Sequence, residues 1–334
     1  MVCWLTALAV GIIIFLIARF LWELIPAPGD IRDKAVLITG CDSGFGRALA
    51  LKCVRNGFTV FAGCLTKQGG DGLAKEAASD RLHIVSLDVS KDESVAEAKK
   101  FVEEKLGSKK LWGIVNNAGI FSCYGPDDWI SLDAYKLGIE VNCLGVIRVT
   151  QAFKQHVKAT KGRIVTVTSI NGRLSSPAAG PYVVSKFGAE AYLDALRQEL
   201  FHFDVKVSIL EPGMFKTPLL DKKAMIDRVE GAWAKLPEST KEEYGEKFKN
   251  YFAKAWNTTF HKMASENIYY VVDNYYHALT ARFPRHRYYC GWDAKLLYVP
   301  MSLAPSWLTD AALRSIAGQE VVPACLEEKL KKTE

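Results

Sequence analysis

The sequence lacks every arrangement of cysteine that marks a metal centre or a disulfide framework. Its eight cysteines, Cys3, Cys41, Cys53, Cys64, Cys123, Cys143, Cys290 and Cys325, include no C-x-x-C pair and have no histidine nearby at metal-ligand spacing, so no metal site is expected. Scattered thiols in a long chain read as buried groups in a reducing compartment, which points toward the cytosol. Blocks of like charge are absent too. The 43 Lys and Arg and 37 Asp and Glu are mixed along the chain, with a net charge of +6. That balance argues against a dedicated nucleic-acid binder and leaves open a basic face toward anionic lipid. No G-x-S-x-G elbow follows a strand-like run, which removes a serine hydrolase. What is present is a chain of 334 residues, 49% hydrophobic, long enough to bury a sizeable core as one large α/β domain.

Charge is also missing from the start. Met1 to Ala18 carries no charged side chain, and Ile12 to Ile17 is continuously apolar. With Phe20, Leu21, Trp22, Leu24 and Ile25 the run approaches the ~20 residues of a membrane helix. A cleaved signal peptide would carry a basic start and small residues before the cut. Here the start is uncharged and the exit is Pro26-Ala27-Pro28-Gly29. An uncleaved anchor over 1–25 is therefore expected. Arg19, Arg32 and Lys34 follow the run, which places the following domain in the cytosol by positive-inside counting.

Ala35-Val36-Leu37-Ile38-Thr39 reads as a strand buried on both faces. It enters Gly40-Cys41-Asp42-Ser43-Gly44-Phe45-Gly46, and Arg47 to Asn56 follows as a helix. Strand, glycine turn and helix form the setting in which backbone approaches a pyrophosphate at a helix N-terminus. Gly40, Asp42, Ser43, Gly44, Phe45 and Gly46 are the cofactor residues expected there. The second strand, Thr59 to Ala62, leads into Gly63-Cys64-Leu65-Thr66, where an acid that holds the adenosine ribose usually stands. No carboxylate marks NAD and no arginine marks NADP at Cys64. Lys67 is within reach of a 2′-phosphate, but Ser43 stands where a basic residue would serve NADP better, so NAD is expected over NADP. Further strands at 83–87, 111–115, 163–168 and 206–210 alternate with helices, the pattern of a doubly wound Rossmann-type parallel sheet. Asp88 ends the third strand facing an adenine amino group or capping a helix. Asn116-Asn117-Ala118-Gly119 ends the fourth, with Asn116 and Gly119 assigned to the cofactor and a strand-bridging role as the alternative for the paired asparagines.

Three polar residues then converge. Asn142 lies in a helix, where asparagine is a poor fit and marks a kink or a satisfied polar group. Ser169 stands just past the fifth strand and points into the crevice. Tyr182 and Lys186 are four apart, on one face if helical, so that an ammonium beside the phenol lowers its pKa and lets it act as an acid or base on an alcohol or ketone.

Thr39-Gly40-x-x-x-Gly44-x-Gly46, Asp88, Asn116 to Gly119, Asn142, Ser169, Tyr182-x-x-x-Lys186 and Pro212-Gly213 together resemble the short-chain dehydrogenase/reductase superfamily. Glu211-Pro212-Gly213-x-Phe215-x-Thr217 and Tyr288 to Leu297 are similar to its retinol and hydroxysteroid dehydrogenase branch. The resemblance implies Tyr182 as the base, Lys186 lowering its pKa and holding the nicotinamide ribose, Ser169 orienting the substrate oxygen, and Asn142 fixing a water that links Lys186 to solvent. Thr217 would bond the carboxamide. It implies a retinoid or steroid alcohol as substrate, a microsomal membrane setting, and pairing into a homodimer through the helices around Asn142 and Tyr182. Pro181 departs from the pattern, since relatives usually carry glycine before the tyrosine, and implies a reshaped pocket wall. The alternatives are an NADP-dependent carbonyl reductase of lipid-like aldehydes and ketones, and a catalytically silent nucleotide-binding scaffold. The second is disfavoured by the intact Ser169, Tyr182 and Lys186.

The domain is expected over 30–290, with 219–256 a helical substrate lid showing Met225, Val229 and Trp233 on one face. Residues 291–334 are expected to dip into the bilayer surface and end in Lys331-Lys332-Thr333-Glu334, which resembles an endoplasmic reticulum retrieval signal. Asn257-Thr258-Thr259 is a glycosylation sequon that matters only in the lumen.

Overall fold

The computed structural model describes residues 2–317 and 321–331. The tail signal and the side chains of the sequon fall outside the described residues. Seven parallel strands make one sheet in the order β3-β2-β1-β4-β5-β6-β7: β1 Lys34–Thr39, β2 Thr59–Cys64, β3 Leu82–Ser86, β4 Lys110–Asn116, β5 Arg163–Val167, β6 Lys206–Pro212 and β7 Arg287–Cys290. Leu37 of β1 sits in register with Phe61 on one side and Ile114 on the other. The central strands β1, β2, β4, β5 and β6 are buried on both faces, so their apolar residues divide by alternation. Val36, Ile38, Val60 and Ala62 pack against the helices α2 (Gly44–Arg55) and α10 (Tyr269–Thr280). Ala35, Leu37, Phe61 and Ile114 pack against α4 (Asp92–Leu106), α6 (Gly145–Thr160) and α7 (Gly180–Glu199) on the other face. The chain reverses direction across the sheet between β1 and β4, and a crevice opens there at the strand C-termini, where open α/β sheets bind ligands.

Three features bear on the expected elements. Asn142 lies in a π-helical turn, Glu140–Leu144, inserted between α5 (Leu132–Ile139) and α6. Such turns interrupt the hydrogen-bond ladder and often accompany functional sites. The stretch 219–256 is not one helix. A 3-10 turn, Pro218–Leu220, precedes α8 (Lys222–Trp233), whose N-cap Asp221 accepts from the Lys223 and Ala224 amides. The next helix, α9 (Glu238–Met263), is broken at Gly245, where φ is 75°. Third, the N-terminal run forms α1 (Val2–Glu23), but among the described residues no helix is long and apolar enough to cross a membrane.

The end of α1 is fixed to the domain. The Ala27 amide donates to the Thr280 carbonyl at 2.7 Å and the Arg282 amide to the Ile25 carbonyl at 2.8 Å. Arg285 Nε donates to Glu23 Oε1 at 2.8 Å.

Candidate active site

A cavity of about 460 Å³ fills the crevice, running from the glycine turn to Tyr182 and on to Leu220. Its floor is set by contacts only glycine permits. Gly40 has φ 69°, and a Cβ there would lie 2.7 Å from the Ala118 Cα. A Cβ on Gly46 would lie 2.4 Å from both the Asn117 amide nitrogen and the Gly40 carbonyl oxygen. The clamp that draws this turn onto β4 is Asn117, which sequence reasoning passed over for Asn116. Asn117 Nδ2 donates to the Thr39 and Gly40 carbonyls at 2.9 and 3.0 Å, and Thr39 Oγ1 accepts from the Asn117 and Ala118 amides. Asn116 instead points into the sheet, donating to Thr150 and Thr166 hydroxyls. It does not line the cavity, because neighbours along a strand face opposite ways. The alternative bridging role is therefore the one Asn116 fills.

Gly40, Asp42, Ser43, Gly44 and Phe45 line the cavity, as do Asp88, Gly119 and Thr217. Gly46 supports the turn from behind. Cys64 is buried within β2 and does not reach the cavity. Ser43 caps α2 without a side-chain hydrogen bond, so the opening amides of a 12-residue helix face the cavity as an anion site. A carboxylate does stand at the end of β2, supplied by the glycine turn. Asp42 reaches across to the end of β2, where its carboxylate accepts from the Leu65 and Thr66 amides at 2.9 and 2.8 Å and from the Thr66 hydroxyl at 2.6 Å. The neighbouring cation Arg47 is committed to Glu76 at 2.7 Å and to the Asp42 and Gly69 carbonyls. Asp88 accepts from the Ser90 amide and hydroxyl at 2.9 and 2.6 Å.

At the far end, Ser169 lies two residues past β5 and opens a 3-10 turn, its Oγ accepting from the Asn171 amide at 3.1 Å. Its hydroxyl is close enough to the Tyr182 phenol to favour the phenolate, and both residues line the cavity. The Lys186 ammonium, one turn further along α7, stands 5.5 Å from the Tyr182 ring centre and donates to the Val167 carbonyl at 3.2 Å. Asn142, 1% exposed, donates to the Ile120 carbonyl and Ser185 hydroxyl and accepts from the Ile120 amide. Both its amide hydrogens and its oxygen are thus engaged by protein, fixing the Ile120 backbone to α7. Gly119 fills the gap between Asn142 and Lys186, since a Cβ there would lie 3.2 Å from the Asn142 oxygen and 3.6 Å from the Lys186 nitrogen.

Burial dominates the electrostatics. The phenol ring of Tyr182 stacks on Phe121 at 4.8 Å, and desolvation pushes its pKa up to about 12, against the lowering effect of Ser169. Desolvation brings Lys186 down to about 8, with Glu190 pulling the other way. The expected depression of the tyrosine pKa by lysine is not seen: burial raises the phenol and only Ser169 opposes it, because an apolar wall disfavours both charged forms.

Phe215, Met214, Leu219 and Leu220 continue that apolar wall. Residues 222–256 stand behind it: Met225, Val229 and Trp233 pack with Phe121, Tyr124 and Trp129. Pro181 is buried and does not line the cavity; its carbonyl lies 3.0 Å from where a Cβ on Gly138 of α5 would stand. It therefore shapes the α5–α7 contact and not the pocket wall. A further residue holds the wall from the C-terminal side. Asp293 Oδ2 accepts from the Met214 amide at 2.7 Å, and its carboxylate occupies the space a side chain on Gly213 would need.

A parallel sheet of this order, a glycine turn feeding a helix N-terminus, and a serine, tyrosine and lysine meeting at an apolar cavity define a dinucleotide-dependent oxidoreductase. The family model for short chain dehydrogenase matches residues 34–226, and the chain belongs to that family, in its retinol and hydroxysteroid dehydrogenase branch. It is 44% identical to the 3beta-hydroxysteroid dehydrogenase dhs-16 of Caenorhabditis elegans over 95% of this chain and 84% of that protein. It is also 44% identical to retinol dehydrogenase 7 of Rattus norvegicus over 85% of this chain and 88% of that protein. Among solved structures, a short chain dehydrogenase/reductase from Burkholderia phymatum in complex with NAD aligns with a TM-score of 0.66 at 22% identity, covering 82% of this chain and 94% of that one.

Proposed function

We propose that the protein oxidises a hydrophobic alcohol, a retinol or a hydroxysteroid, with NAD as the hydride acceptor and Tyr182 as the base. The observation that carries this reading is the meeting of the Ser169 hydroxyl, the Tyr182 phenol and the Lys186 ammonium at an apolar cavity that begins at the glycine turn. The names of the relatives support the substrate class. The residues fit a dinucleotide, since the glycine contacts leave backbone against the cavity and the free amides of α2 suit a pyrophosphate. When bound, the oxidised nicotinamide accepts the hydride and brings positive charge.

The chain's own groups do the rest. Ser169 and Tyr182 both face the cavity, so an alcohol oxygen placed between them accepts from one and donates to the other. Tyr182 is protonated at neutral pH in the cofactor-free site, and positive charge beside it draws the phenolate into range. Lys186, 5.5 Å from the ring centre, supplies part of that charge. Phe121, Met214 and Leu219 exclude water from the carbon skeleton.

Asp42 supports NAD. A carboxylate offers about four acceptor positions, and three are occupied by Leu65 and Thr66. The remainder suits a ribose hydroxyl and repels a 2′-phosphate, while Arg47 is committed elsewhere. In assays of retinol and a 3-hydroxysteroid with each dinucleotide, NAD is expected to be reduced faster, and Asp42→Ala to lower the NAD-to-NADP ratio of kcat/KM at least tenfold. Turnover with NADP alone, or no turnover of either alcohol, contradicts the reading.

The proposal includes a membrane setting, with α1 as an anchor in the endoplasmic reticulum and the catalytic domain on the cytosolic side. Support comes from Leu8, Ile14, Phe15 and Phe20, each more than 60% exposed, and from the exposed Trp292, Leu296, Leu303 and Trp307 near the C-terminus. It also includes a homodimer, supported by the exposed apolar Leu137 and Leu144 beside Val184 and Phe187 of α7.

A further inference from the structure

Tyr182, Lys186, Glu190 and Asp194 follow one another at four-residue steps along α7, so they line one face of that helix. The first two belong to the chemistry. The third, Glu190, is a carboxylate only 5% exposed, directly behind the catalytic lysine. A buried carboxylate is costly unless its position serves something.

Its contacts join the parts of the site. Glu190 Oε1 accepts from Thr168 Oγ1 at 2.8 Å, and Thr168 is the residue between Val167, whose carbonyl receives Lys186, and Ser169. The same oxygen lies 2.6 Å from where a Cβ on Gly172 would stand, so Glu190 also packs under the turn that Ser169 opens. Its other oxygen accepts from Arg287 of β7. That guanidinium is shared with Glu211 of β6 and Asp194 of α7, and Glu211 is held in turn by Arg173. The charged and titratable groups facing Glu190 are therefore Lys186 from its own helix, Glu211 from β6 and Arg287 from β7. Those facing Lys186 are Tyr182 and Glu190 on α7 and Cys143 from the π-helical turn. No other carboxylate among the described residues acts on the lysine.

We propose that Glu190 is a positioning residue that keeps Lys186 charged through its electrostatic field and holds Ser169 in place through Thr168, with Arg287 bound to its other oxygen. This rests on the dehydrogenase reading for its catalytic consequence but not for its effect on the lysine. Desolvation opposes charge on Lys186 and Glu190 is the first group that opposes desolvation. Without it the lysine loses its proton at lower pH. The phenolate, deprived of its cation, then forms only at higher pH.

The test titrates Lys186 directly, by the 13Cε resonance in lysine-labelled full-length protein, assigned by its absence from Lys186→Met. Glu190→Gln keeps an oxygen for Thr168 and removes the charge. Its Lys186 midpoint is expected about one pH unit below that of the wild type, with Glu190→Asp, whose carboxylate is drawn back, in between. In alcohol oxidation the rising limb of kcat/KM against pH moves to alkaline pH in the same order, and the rate at pH 7 falls about tenfold in Glu190→Gln. Should the Gln variant fail to fold, Glu190→Asp decides alone. Midpoints unchanged in the folded variants, or a rate loss uniform across pH, would make Glu190 a structural partner of Arg287 and overturn the proposal. Absent alcohol turnover with a displaced lysine midpoint would sink the dehydrogenase reading and leave the electrostatic role standing.

Discussion

Lys186 shows how a single side chain can work against the fold that holds it. It is 4% exposed, and burial lowers its pKa from 10.5 to about 8. A base with a lowered folded pKa binds fewer protons folded than unfolded, so its destabilising effect is complete below pH 8 and fades as pH rises toward 10.5. Lys186→Met should therefore abolish turnover and still raise stability at pH 7 by on the order of 3 kcal/mol. That gain should shrink by pH 10 in urea unfolding at the two pH values; a constant difference, or none, would show that the lysine is not held against its solvation. The tyrosine–lysine pair was legible in the sequence because four-residue spacing survives as helix geometry. Its pKa pattern was not, because the apolar partner Phe121 lies 61 positions away. The same limit hid Asn117 and the reach of Asp42 to the end of β2. Neighbouring asparagines look alike in a sequence, and only the strand's alternation and the Gly40 turn decide which one faces the cavity.

At the scale of elements, strands were the most legible because runs such as Ala35 to Thr39 are apolar on both faces and bounded by turn residues. Boundaries moved where tertiary contacts override local preference. The π-helical turn at 140–144 gives Asn142 its reach to Ile120; the asparagine marked a kink or a satisfied polar group there, but not the extra residue in the turn. The long expected helix at 219–256 splits because Pro237 and Gly245 act as breakers inside an otherwise periodic pattern. The clearest element-level dependence joins β6 to the segment after β7. Asp293 holds the Pro212-Gly213-Met214 loop by one short hydrogen bond to the Met214 amide, although the two lie 79 positions apart. Asp293→Ala leaves that half-buried amide without its partner and loosens the wall that Met214 and Phe215 give the cavity. It should raise KM for NAD and for the alcohol severalfold, with a smaller change in kcat; unchanged KM values would show that the loop is held by other contacts.

Over the whole molecule, sequence and structure agree on a doubly wound parallel sheet with its site at the strand ends, because the alternation of apolar strands and amphipathic helices leaves few other topologies. What joins the ends of the chain was invisible in the sequence: Glu23, at the close of α1, meets Arg285, and His277 Nε2 hydrogen-bonds the Glu23 carbonyl at 2.9 Å. The N-terminal helix therefore leaves the domain beside β7, whose Arg287 reaches Glu190 on the catalytic helix. The central claim is that Tyr182 is the proton acceptor in NAD-dependent oxidation of a hydrophobic alcohol. The most direct measurement compares wild type with Tyr182→Phe in membranes expressing each, following NADH formation from retinol and a 3-hydroxysteroid, with NAD binding measured alongside. Removal of the phenolic oxygen should cost at least about 10³-fold in kcat, within the range of general acid–base catalysis, while NAD still binds. A variant that retains most of the wild-type rate, with either alcohol, would contradict it.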